Sequence, residues 1–476
     1  MKILLTGATG YIGRRLKLKL LEDEKVHLRL FVRSAKKIGE SVREKVEIAE
    51  GDTFNRESLK KAVEGVDVAY YLIHSMGAKG DFGKLDRISA TNFRDVCIEA
   101  GVKRIVYLGG LGVKESASKH LLSRIETGEM LSARPDKIQT IWFRAGVIIG
   151  SGSASFEIIR NLVQKLPVMI IPRWVRTKTQ PIAIDDVLNY LFQAKDLDVR
   201  ENLKVDIGSV KMSYEDMMKK AARVMGLKRV MIPVPVLTPR LSSYWLILFT
   251  PVPYKVASAL VEGLRSETVI QNDNAKRFFP NICPMFFEEA VKKAIVEIEN
   301  NQIISRWCDS SAGEVCDIKN QDKISRAVFT ARKVFNFNDI DAHKIFLSVL
   351  SIGGKEGWCK YDFLFGIRGF IDKFIGGCGN RGRRNRKELR VGDGLDLWKV
   401  VDIRKGKRLL LLAQMKLPGK AWLEFSIEGN KLIETAYFYP RGLIGRIYWH
   451  FFLPFHNLAF GAIAENVIRT AEKMNI

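Results

Sequence analysis

Three glycines near the start of the chain have the spacing of a phosphate-binding turn. Residues 6–13 read TGATGYIG, directly after an apolar run at residues 3–5. A helical apolar pattern follows, and a strand, turn and helix of this kind can hold a pyrophosphate against free backbone N–H groups. The segment therefore predicts dinucleotide binding. The expected cofactor contacts are Gly7, Thr9, Gly10, Tyr11, Ile12 and Gly13.

Cations, and no carboxylate, follow the second predicted strand. A site that prefers NAD usually places Asp or Glu here, on the ribose 2′-hydroxyl. This chain instead has Arg33 and Ser34, with Lys36 and Lys37 close behind. The pattern favours NADP(H) over NAD(H), because these side chains could hold a 2′-phosphate. Arg33 could also stack on the adenine, and a solvated basic loop is the alternative interpretation.

Polar residues also follow the third and fourth predicted strands. Asp52 could cap its own loop or bind the adenine amino group. His74 and Ser75 come after residues 66–73, where the nicotinamide edge would lie. We expect His74 to contact the cofactor, either in the chemistry or only as part of the lining of the site.

Strands and helices must alternate to bring these residues to one edge. Further strands are predicted at residues 105–108 and in IQTIWFRAGVIIG, residues 138–150. This alternation is typical of an α/β fold with a doubly wound, parallel Rossmann sheet. We expect a core at about residues 1–150 and a smaller substrate lobe at about 151–300. Aromatic residues of that lobe could line an apolar pocket or pack between lobes: Tyr244, Trp245, Phe249 and Tyr254.

Several of these motifs together resemble a known superfamily. They are TGATGYIG at 6–13, FVRS at 31–34, GD at 51–52, FRAGVIIG at 143–150 and QPIAIDDV at 180–187. The chain is similar to the short-chain dehydrogenases/reductases, in their atypical or extended branch, which includes the complex I 39-kDa-subunit-like proteins. The resemblance covers about residues 1–300. It implies NAD(P) binding and leaves the reaction open.

The chain departs from that superfamily at the usual catalytic pair. Its reductases carry Tyr-x-x-x-Lys after the fifth strand, and this sequence has His120 and Arg124 where we expect that pair. The i,i+4 spacing puts both on one side of a helix, and a neighbouring guanidinium would keep the imidazole neutral. The pair could be a substitute catalytic dyad, a ribose-binding pair that transfers no proton, or a structural pair.

The pattern changes after about residue 300. Four strands joined by short turns indicate an antiparallel meander, and an apolar-faced helix is predicted at about residues 443–473. Five segments carry a further resemblance: GGKEGW at 353–358, RGFIDKFIGG at 368–377, RVGDGLDLWKV at 390–400, MKLPGKAWLEF at 415–425 and YFYPRGLIGRIYW at 437–449. With them the sequence resembles an uncharacterised domain of the DUF2867 type, related to the StAR-related lipid-transfer and polyketide-cyclase (SRPBCC) superfamily. That resemblance implies a helix-grip fold with a hydrophobic-ligand cavity. We expect a linker at 301–325 and this domain at 326–476, behind the dehydrogenase-like domain at 1–300.

Charged residues of this domain have competing interpretations. The residues expected in its interior are Arg368, Asp372, Asp393 and Asp396, although surface ion pairs or turn caps are the commoner role. The densest basic cluster could be a solvated loop or an anion site: Arg381, Arg383, Arg384, Arg386, Lys387 and Arg390. Residues 447–464 contain no Lys, Arg, Asp or Glu, and predict a packed helix or an interfacial one.

Composition bounds the remaining possibilities. The chain has 476 residues, 47% of them hydrophobic, and a formal net charge of +24. That charge favours anionic partners, but without a nucleic-acid-binding signature we expect none of that class. The six cysteines form no CxxC pair, and we expect no metal site. Because no signal peptide is evident, we expect a cytoplasmic protein, with peripheral contact to anionic membrane as a further possibility.

These observations lead to one function and two alternatives. The leading hypothesis is an NADP(H)-dependent oxidoreductase that acts on a small hydrophobic substrate, a carbonyl or quinone-like compound. A non-catalytic NADPH-binding sensor is the second, favoured by the missing Tyr–Lys pair. A protein that binds lipid or another hydrophobic ligand is the third. The sequence leaves the oligomeric state open.

Overall fold

The computed structural model describes most of the chain and divides it into two compact units, Met1–Val315 and Cys316–Ile476. The described residues are 1–74, 82–234, 262–263, 266–300, 304–305, 329–338, 340–375, 377–385 and 388–474. Some residues named above lie outside them: Ser75, Tyr244, Trp245, Phe249, Tyr254, Arg386 and Lys387. The side chain of Lys36 is also outside the description.

The first unit is built on a seven-stranded sheet. Its strands, with those of three small two-stranded sheets, are β1 (Lys2–Thr6), β2 (His27–Val32), β3 (Glu47–Glu50), β4 (Val68–Tyr71), β5 (Arg104–Gly110), β6 (Gln139–Ala145), β7 (Ile148–Ile149), β8 (Val168–Pro172), β9 (Lys178–Thr179), β10 (Ile182–Ala183), β11 (Leu203–Ile207), β12 (Met212–Ser213) and β13 (Val230–Val234). The large sheet has the order β11-β6-β5-β4-β1-β2-β3, and all its strand pairs are parallel. The α/β fold with a doubly wound parallel sheet is therefore confirmed.

Helices connect these strands. They are α1 (Tyr11–Leu20), α2 (Glu40–Arg43), α3 (Arg56–Val63), α4 (Phe82–Glu99), α5 (Lys119–Leu131), α6 (Ala154–Lys165), α7 (Ile184–Gln193), α8 (Tyr214–Val224), α9 (Asn274–Phe278) and α10 (Phe287–Glu299). Because alternate residues of a strand face opposite sides of the sheet, Leu5 and Tyr70 pack in one apolar layer and Leu4 and Tyr71 in another. Both faces are thus covered by helices.

The later part of the first unit forms a separate apolar cluster. Helices α6, α8 and α10 pack there around residues such as Phe156 and Phe287. Helix α8 begins with a capping box, in which Ser213 accepts from the Asp216 backbone N–H while Asp216 accepts from that of Ser213.

The second unit is an antiparallel sheet with helices. Its strands are β14 (Phe329–Asn336), β15 (Gly394–Leu395), β16 (Trp398–Arg404), β17 (Arg408–Ala413), β18 (Gly419–Glu428) and β19 (Lys431–Pro440). Its helices are α11 (Ala342–Ser351), α12 (Asp362–Phe374) and α13 (Gly442–Glu472). The sheet order is β14-β19-β18-β17-β16-β15, so β16–β19 are the expected meander and β14 is a strand that the sequence analysis missed. Helix α13 packs on β19 and α11.

Three of the charged residues expected in the interior are buried there and cap turns: Asp372, Asp393 and Asp396. Asp372 accepts from the Gly379 and Lys416 backbone N–H groups. Asp396 accepts from the Gly354 backbone and the Trp358 indole N–H groups. Carboxylates satisfy such buried donors well, which explains their burial.

Two of the described cations in the basic cluster at 381–390 do not fit the solvated-loop interpretation. Arg383 and Arg384 are buried, and Arg384 Nε lies 3.0 Å from the Asp393 carboxylate. Arg383 donates to the Ile352 and Asn385 carbonyls. These guanidiniums hold the fold together locally, because buried charges persist only when paired and hydrogen-bonded.

Helix α13 contains Pro454 and bends there. Among the described helices, none alone has the length and apolar composition to span a bilayer. The two halves Gly442–Pro454 and Leu458–Glu472, at 53° to each other, meet that length and composition test only as a pair.

Candidate active site

The glycine turn between β1 and α1 is closely packed. Gly7 has a φ of +65°, and a Cβ atom there would lie 2.3 Å from the Leu72 carbonyl oxygen. A Cβ at Gly13 would lie 2.2 Å from the Gly7 oxygen. The Gly10 N–H donates to the Gly7 carbonyl at 2.8 Å, and Gly10 is the N-cap of α1. The turn therefore brings the first turn of α1 against the carboxyl ends of β1 and β4, as a phosphate-binding turn requires.

Other residues of the motif hold the turn in place. The Arg14 Nε donates to the Thr9 carbonyl at 3.0 Å. Ile12 packs against the apolar core. The Tyr11 hydroxyl is buried, a Cβ at Gly150 would lie 2.7 Å from it, and it has no hydrogen-bond partner within the described residues. Burial raises the pKa of Tyr11 well above its usual range. Tyr11 therefore stays neutral, and its ring belongs to the core.

Arg15 is a buried member of α1 that the sequence analysis did not single out. Its Nη2 donates to the Ser151 hydroxyl at 2.8 Å and lies 3.4 Å from the Glu297 carboxylate. Its Nε donates to the Ser305 hydroxyl, which in turn donates to the Tyr11 carbonyl. This network of hydrogen bonds and an ion pair links α1 to later parts of the first unit.

The loop after β2 contacts a carboxylate that the sequence analysis did not anticipate. The Ala35 backbone N–H donates to Glu50, at the end of β3, at 2.5 Å. Arg33 is exposed, whereas Lys37 is buried. Ser34 is half-buried and precedes a single helical turn. Of the cations expected after β2, Arg33 is therefore the one whose described side chain is exposed.

Asp52 closes its own loop. Its carboxylate accepts from the Phe54 backbone N–H at 3.1 Å, and its carbonyl accepts from the Ser58 hydroxyl. Of the two roles considered for Asp52, the loop cap is the one that these contacts represent.

A buried hydrogen-bond chain lies beside the end of β4. His74 Nδ1 is 2.9 Å from Asp86 of α4, and the Ser123 hydroxyl of α5 donates to the same carboxylate oxygen at 2.8 Å. Asp86 is buried. The Asp86 carboxylate favours a proton on His74 Nδ1, which leaves Nε2 as the basic atom. That Nε2 is buried and has no hydrogen-bond partner within the described part of the chain.

His120 lies next to this chain. Its ring centroid is 6.3 Å from that of His74, with the two rings nearly perpendicular. Desolvation and the neighbouring His74 lower the pKa of His120 below its usual value of 6.5. His120 is therefore neutral at neutral pH.

Arg124 is attached to the fifth strand. Its Nη2 donates to the Leu108 carbonyl at 3.1 Å, and its own carbonyl accepts from the Tyr107 hydroxyl. These contacts give Arg124 a structural role at the end of β5, while His120 is grouped with His74.

The parallel sheet explains why these groups share one edge. Residue 74 follows β4, and α5 follows β5 by a short connection, so both come from the carboxyl ends of neighbouring strands. β1 pairs with β4, which places the glycine turn at the same edge. Ligands of open α/β sheets bind at such an edge. Asp86 gave no sequence signal, because an isolated Asp within a helical pattern is ordinarily a surface residue.

Two family models match the chain. Residues 7–137 match the NAD(P)H-binding family, and residues 324–463 match the family described as protein of unknown function (DUF2867). The first match covers the glycine turn, both histidines and Asp86. The chain therefore carries an NAD(P)H-binding domain of the Rossmann type followed by a DUF2867 domain. The further likeness to the SRPBCC superfamily stays a prediction.

Similarity to individual proteins is more limited. The chain is 34% identical over 117 residues to sterol demethylase protein B of Methylococcus capsulatus, a match that covers 24% of this chain. It spans about a third (35%) of the length of that relative.

Two solved structures of triphenylmethane reductase from Citrobacter sp. share the fold. One, complexed with NADP(H), is 19% identical with a TM-score of 0.50 and covers 61% of this chain and 99% of its own. The other is 20% identical with a TM-score of 0.51 and covers 62% and 100%.

Proposed function

We propose that the first unit is an NADP(H)-dependent oxidoreductase of the atypical short-chain type, in which His74 and Asp86 handle the proton of the reaction. The observation that carries this proposal is the half-buried His74 imidazole, whose Nε2 atom is buried. Asp86 is hydrogen-bonded to His74 Nδ1, whereas His74 Nε2 has no hydrogen-bond partner within the described residues. A buried polar atom without a hydrogen-bond partner destabilises the fold. Such an atom at the edge of the sheet where the cofactor would bind therefore suggests a role in the function.

The glycine turn would hold the pyrophosphate. Side chains are excluded at Gly7 and Gly13, so the backbone of the turn can approach a ligand closely. This cradle is the structural feature that fits a dinucleotide. When bound, the cofactor would supply or accept a hydride at its nicotinamide ring.

Arg33 supports a preference for NADP(H). Its exposed guanidinium could pair with a 2′-phosphate, and charge-assisted pairs of this kind are strong. Glu50 opposes the same phosphate, because its carboxylate already accepts from the Ala35 N–H. We infer that a 2′-phosphate would displace Glu50 from that N–H, while Arg33 supplies the compensating charge.

Reduction of a carbonyl to an alcohol needs one proton on oxygen besides the hydride. His74 Nε2 would donate that proton, and in the reverse direction it would accept it. Asp86 would stabilise the imidazolium form and fix the tautomer, as a buried carboxylate does for a catalytic histidine. Solvent would return the proton to His74 after each turnover, since its side chain is 20% exposed.

The substrate we propose is a hydrophobic carbonyl or quinone-like compound. The name of the Methylococcus relative refers to a sterol, which is a large apolar molecule. Because only part of that relative is matched, its name supports the class of substrate and no particular compound.

The test is NADPH oxidation by the full chain against a panel of quinones and hydrophobic ketones. We expect Asp86→Asn to lower kcat by roughly a hundredfold and to leave NADPH affinity unchanged, because proton transfer contributes about that much. Asp95→Asn is the matched control, since Asp95 lies on the same helix, paired with Arg94 at the surface.

Two outcomes would contradict the proposal. Asp86→Asn turning over like the native protein would exclude the His74–Asp86 pair as the proton site. Tight NADPH binding with no oxidation by any acceptor would favour the non-catalytic sensor. Thermal unfolding of each variant separates these results from a general loss of structure.

A further inference from the structure

Helix α12 of the second unit carries its apolar residues on the outside. Phe363, Phe370 and Phe374 are 62%, 61% and 75% exposed. With Ile367 they recur at intervals of three and four residues, so they form one stripe along the helix. Surface helices of soluble proteins ordinarily turn such a stripe toward the core.

The opposite side of α12 faces the protein through small and polar residues. Gly369 lies against Asn380, with a Cβ there 3.1 Å from the Asn380 side chain. Asp372 is fully buried and holds the Gly379 and Lys416 N–H groups. These contacts fix the rotation of α12, so the phenylalanines cannot turn inward without breaking them.

The first turns of α13 repeat the arrangement. Leu443, Ile444, Ile447 and Phe451 are all exposed, at 59–73%. Gly445 faces inward, where a Cβ would lie 2.3 Å from the Pro418 carbonyl oxygen. Trp449 is buried in the core. The outward side of this helix segment is again apolar.

The two helices are joined by the loop between β17 and β18. Arg368 of α12 donates to the Lys416 carbonyl at 3.0 Å, and Lys416 Nζ donates to the Ile375 carbonyl. Arg441, at the start of α13, donates its N–H to the Pro418 carbonyl. The Arg368 side chain also interacts with the Tyr448 hydroxyl. We call the eight exposed residues of the two helices the exposed apolar face. They are Phe363, Ile367, Phe370, Phe374, Leu443, Ile444, Ile447 and Phe451.

Cations accompany this face. Arg441 and Arg446 are exposed at the start of α13, Lys416 is exposed in the joining loop, and Lys420 is exposed at the start of β18. Neither residues 414–420 nor residues 441–458 contain an acidic residue. The exposed carboxylate on α12 is Asp362, at its first turn. An apolar surface with basic residues beside it complements a layer of anionic headgroups over acyl chains.

We propose that the exposed apolar face docks on an anionic lipid surface, with the phenylalanines in the acyl boundary and the cations at the headgroups. A second copy of the chain suits the face less well. A two-fold pairing would bring two sets of these cations together, and like charges facing each other oppose association. The proposal concerns the second unit and is independent of the oxidoreductase assignment.

The test is sedimentation of the full chain with vesicles. We expect binding to equimolar phosphatidylcholine and phosphatidylglycerol vesicles and much weaker binding to phosphatidylcholine alone. The double variant Phe370→Ser, Phe374→Ser should weaken binding by about tenfold or more, because two buried rings are lost from the interface. Phe286→Ser is the matched control, since Phe286 is an equally exposed phenylalanine (61%) in the first unit.

Charge is tested by a second double variant, Arg441→Gln with Arg446→Gln. We expect it to reduce binding to the anionic vesicles by about thirtyfold, because each basic residue near the surface contributes about fivefold. It should leave the weak binding to neutral vesicles unchanged. NADPH binding by every variant serves as the folding control for the first unit, and thermal unfolding serves for the second.

Several outcomes would overturn the proposal. One is the absence of vesicle binding by the native chain, and another is loss of binding in Phe286→Ser equal to that in the α12 variant. Light scattering without lipid gives a third. If the native chain is a dimer that the α12 variant converts to a monomer, and neither binds vesicles, the face is an interface between copies.

Discussion

At the scale of single residues, burial determines the state of the ionisable groups in both units. Desolvation keeps His120 neutral, and the Asp86 carboxylate orients His74. The strand pattern predicts that His74 and His120 lie at the edge of the sheet. The contact between Asp86 and His74 could not be predicted, because it depends on how α4 packs beside β4, and no local spacing indicates that packing.

Glu434 of β19 is a buried carboxyl group without a hydrogen-bond partner among the described residues. It is fully buried, and neither oxygen has a hydrogen-bond partner within the described residues. Burial raises its pKa well above the usual 4.5, although Lys333, opposite on β14, acts against this. The folded protein therefore keeps Glu434 protonated at pH values where the unfolded chain has lost the proton.

The sign of the pH effect follows. Above about pH 4.5 the native state binds more protons than the unfolded state, so the free energy of unfolding falls as the pH rises. The loss is up to about 1.4 kcal/mol per pH unit until the native group ionises. We expect Glu434→Gln to flatten this dependence above about pH 5. Urea unfolding of the second unit at several pH values measures it.

Glu424→Gln is the control for that experiment. Glu424, on the neighbouring strand, already binds the Tyr437 hydroxyl and Arg408. Its removal should lower stability without flattening the pH dependence. An unchanged pH dependence in Glu434→Gln would contradict the proposed burial of a protonated carboxyl.

At the scale of elements, the glycine turn permits a matched comparison. Gly7 and Gly65 have φ values of +65° and +69°, so alanine at either position costs about 1–2 kcal/mol of backbone strain. Only at Gly7 would the new Cβ meet another atom, the Leu72 carbonyl oxygen. We expect Gly7→Ala to abolish NADPH binding and Gly65→Ala to retain it. Equal NADPH affinities, measured by fluorescence titration, would contradict the assigned role of the turn.

Elements with strong local periodicity could be predicted, and those fixed by tertiary contact could not. The β-strands of the parallel sheet and the meander β16–β19 are evident from apolar runs and turn residues. β14 was missed because its alternation of apolar and polar residues is imperfect: Lys333 lies among the inward-facing residues, and Val334 is exposed. It also pairs with β19 across about a hundred residues. The orientation of α12 was also missed, since an amphipathic pattern alone does not say which side faces the protein.

At the scale of the whole molecule, the basic residues that give the net charge of +24 have different roles. Arg383 and Arg384 are internal, so these two cations of the densest basic cluster in the sequence are not available at the surface. Exposed cations instead accompany the exposed apolar face of the second unit and, at Arg33, the proposed cofactor site of the first. Composition predicted an anionic partner, but only the packing shows which cations remain available for one.

The proposed preference for NADP(H) is tested most directly by a pair of binding titrations with NADPH and NADH. We expect the native chain to bind NADPH more tightly, and Arg33→Ala to reduce NADPH affinity by about tenfold or more, the value of a charge-assisted pair. NADH affinity should not change. Equal affinities for the two cofactors in the native chain, or an Arg33→Ala variant that still prefers NADPH, would overturn the assignment of Arg33 to the 2′-phosphate.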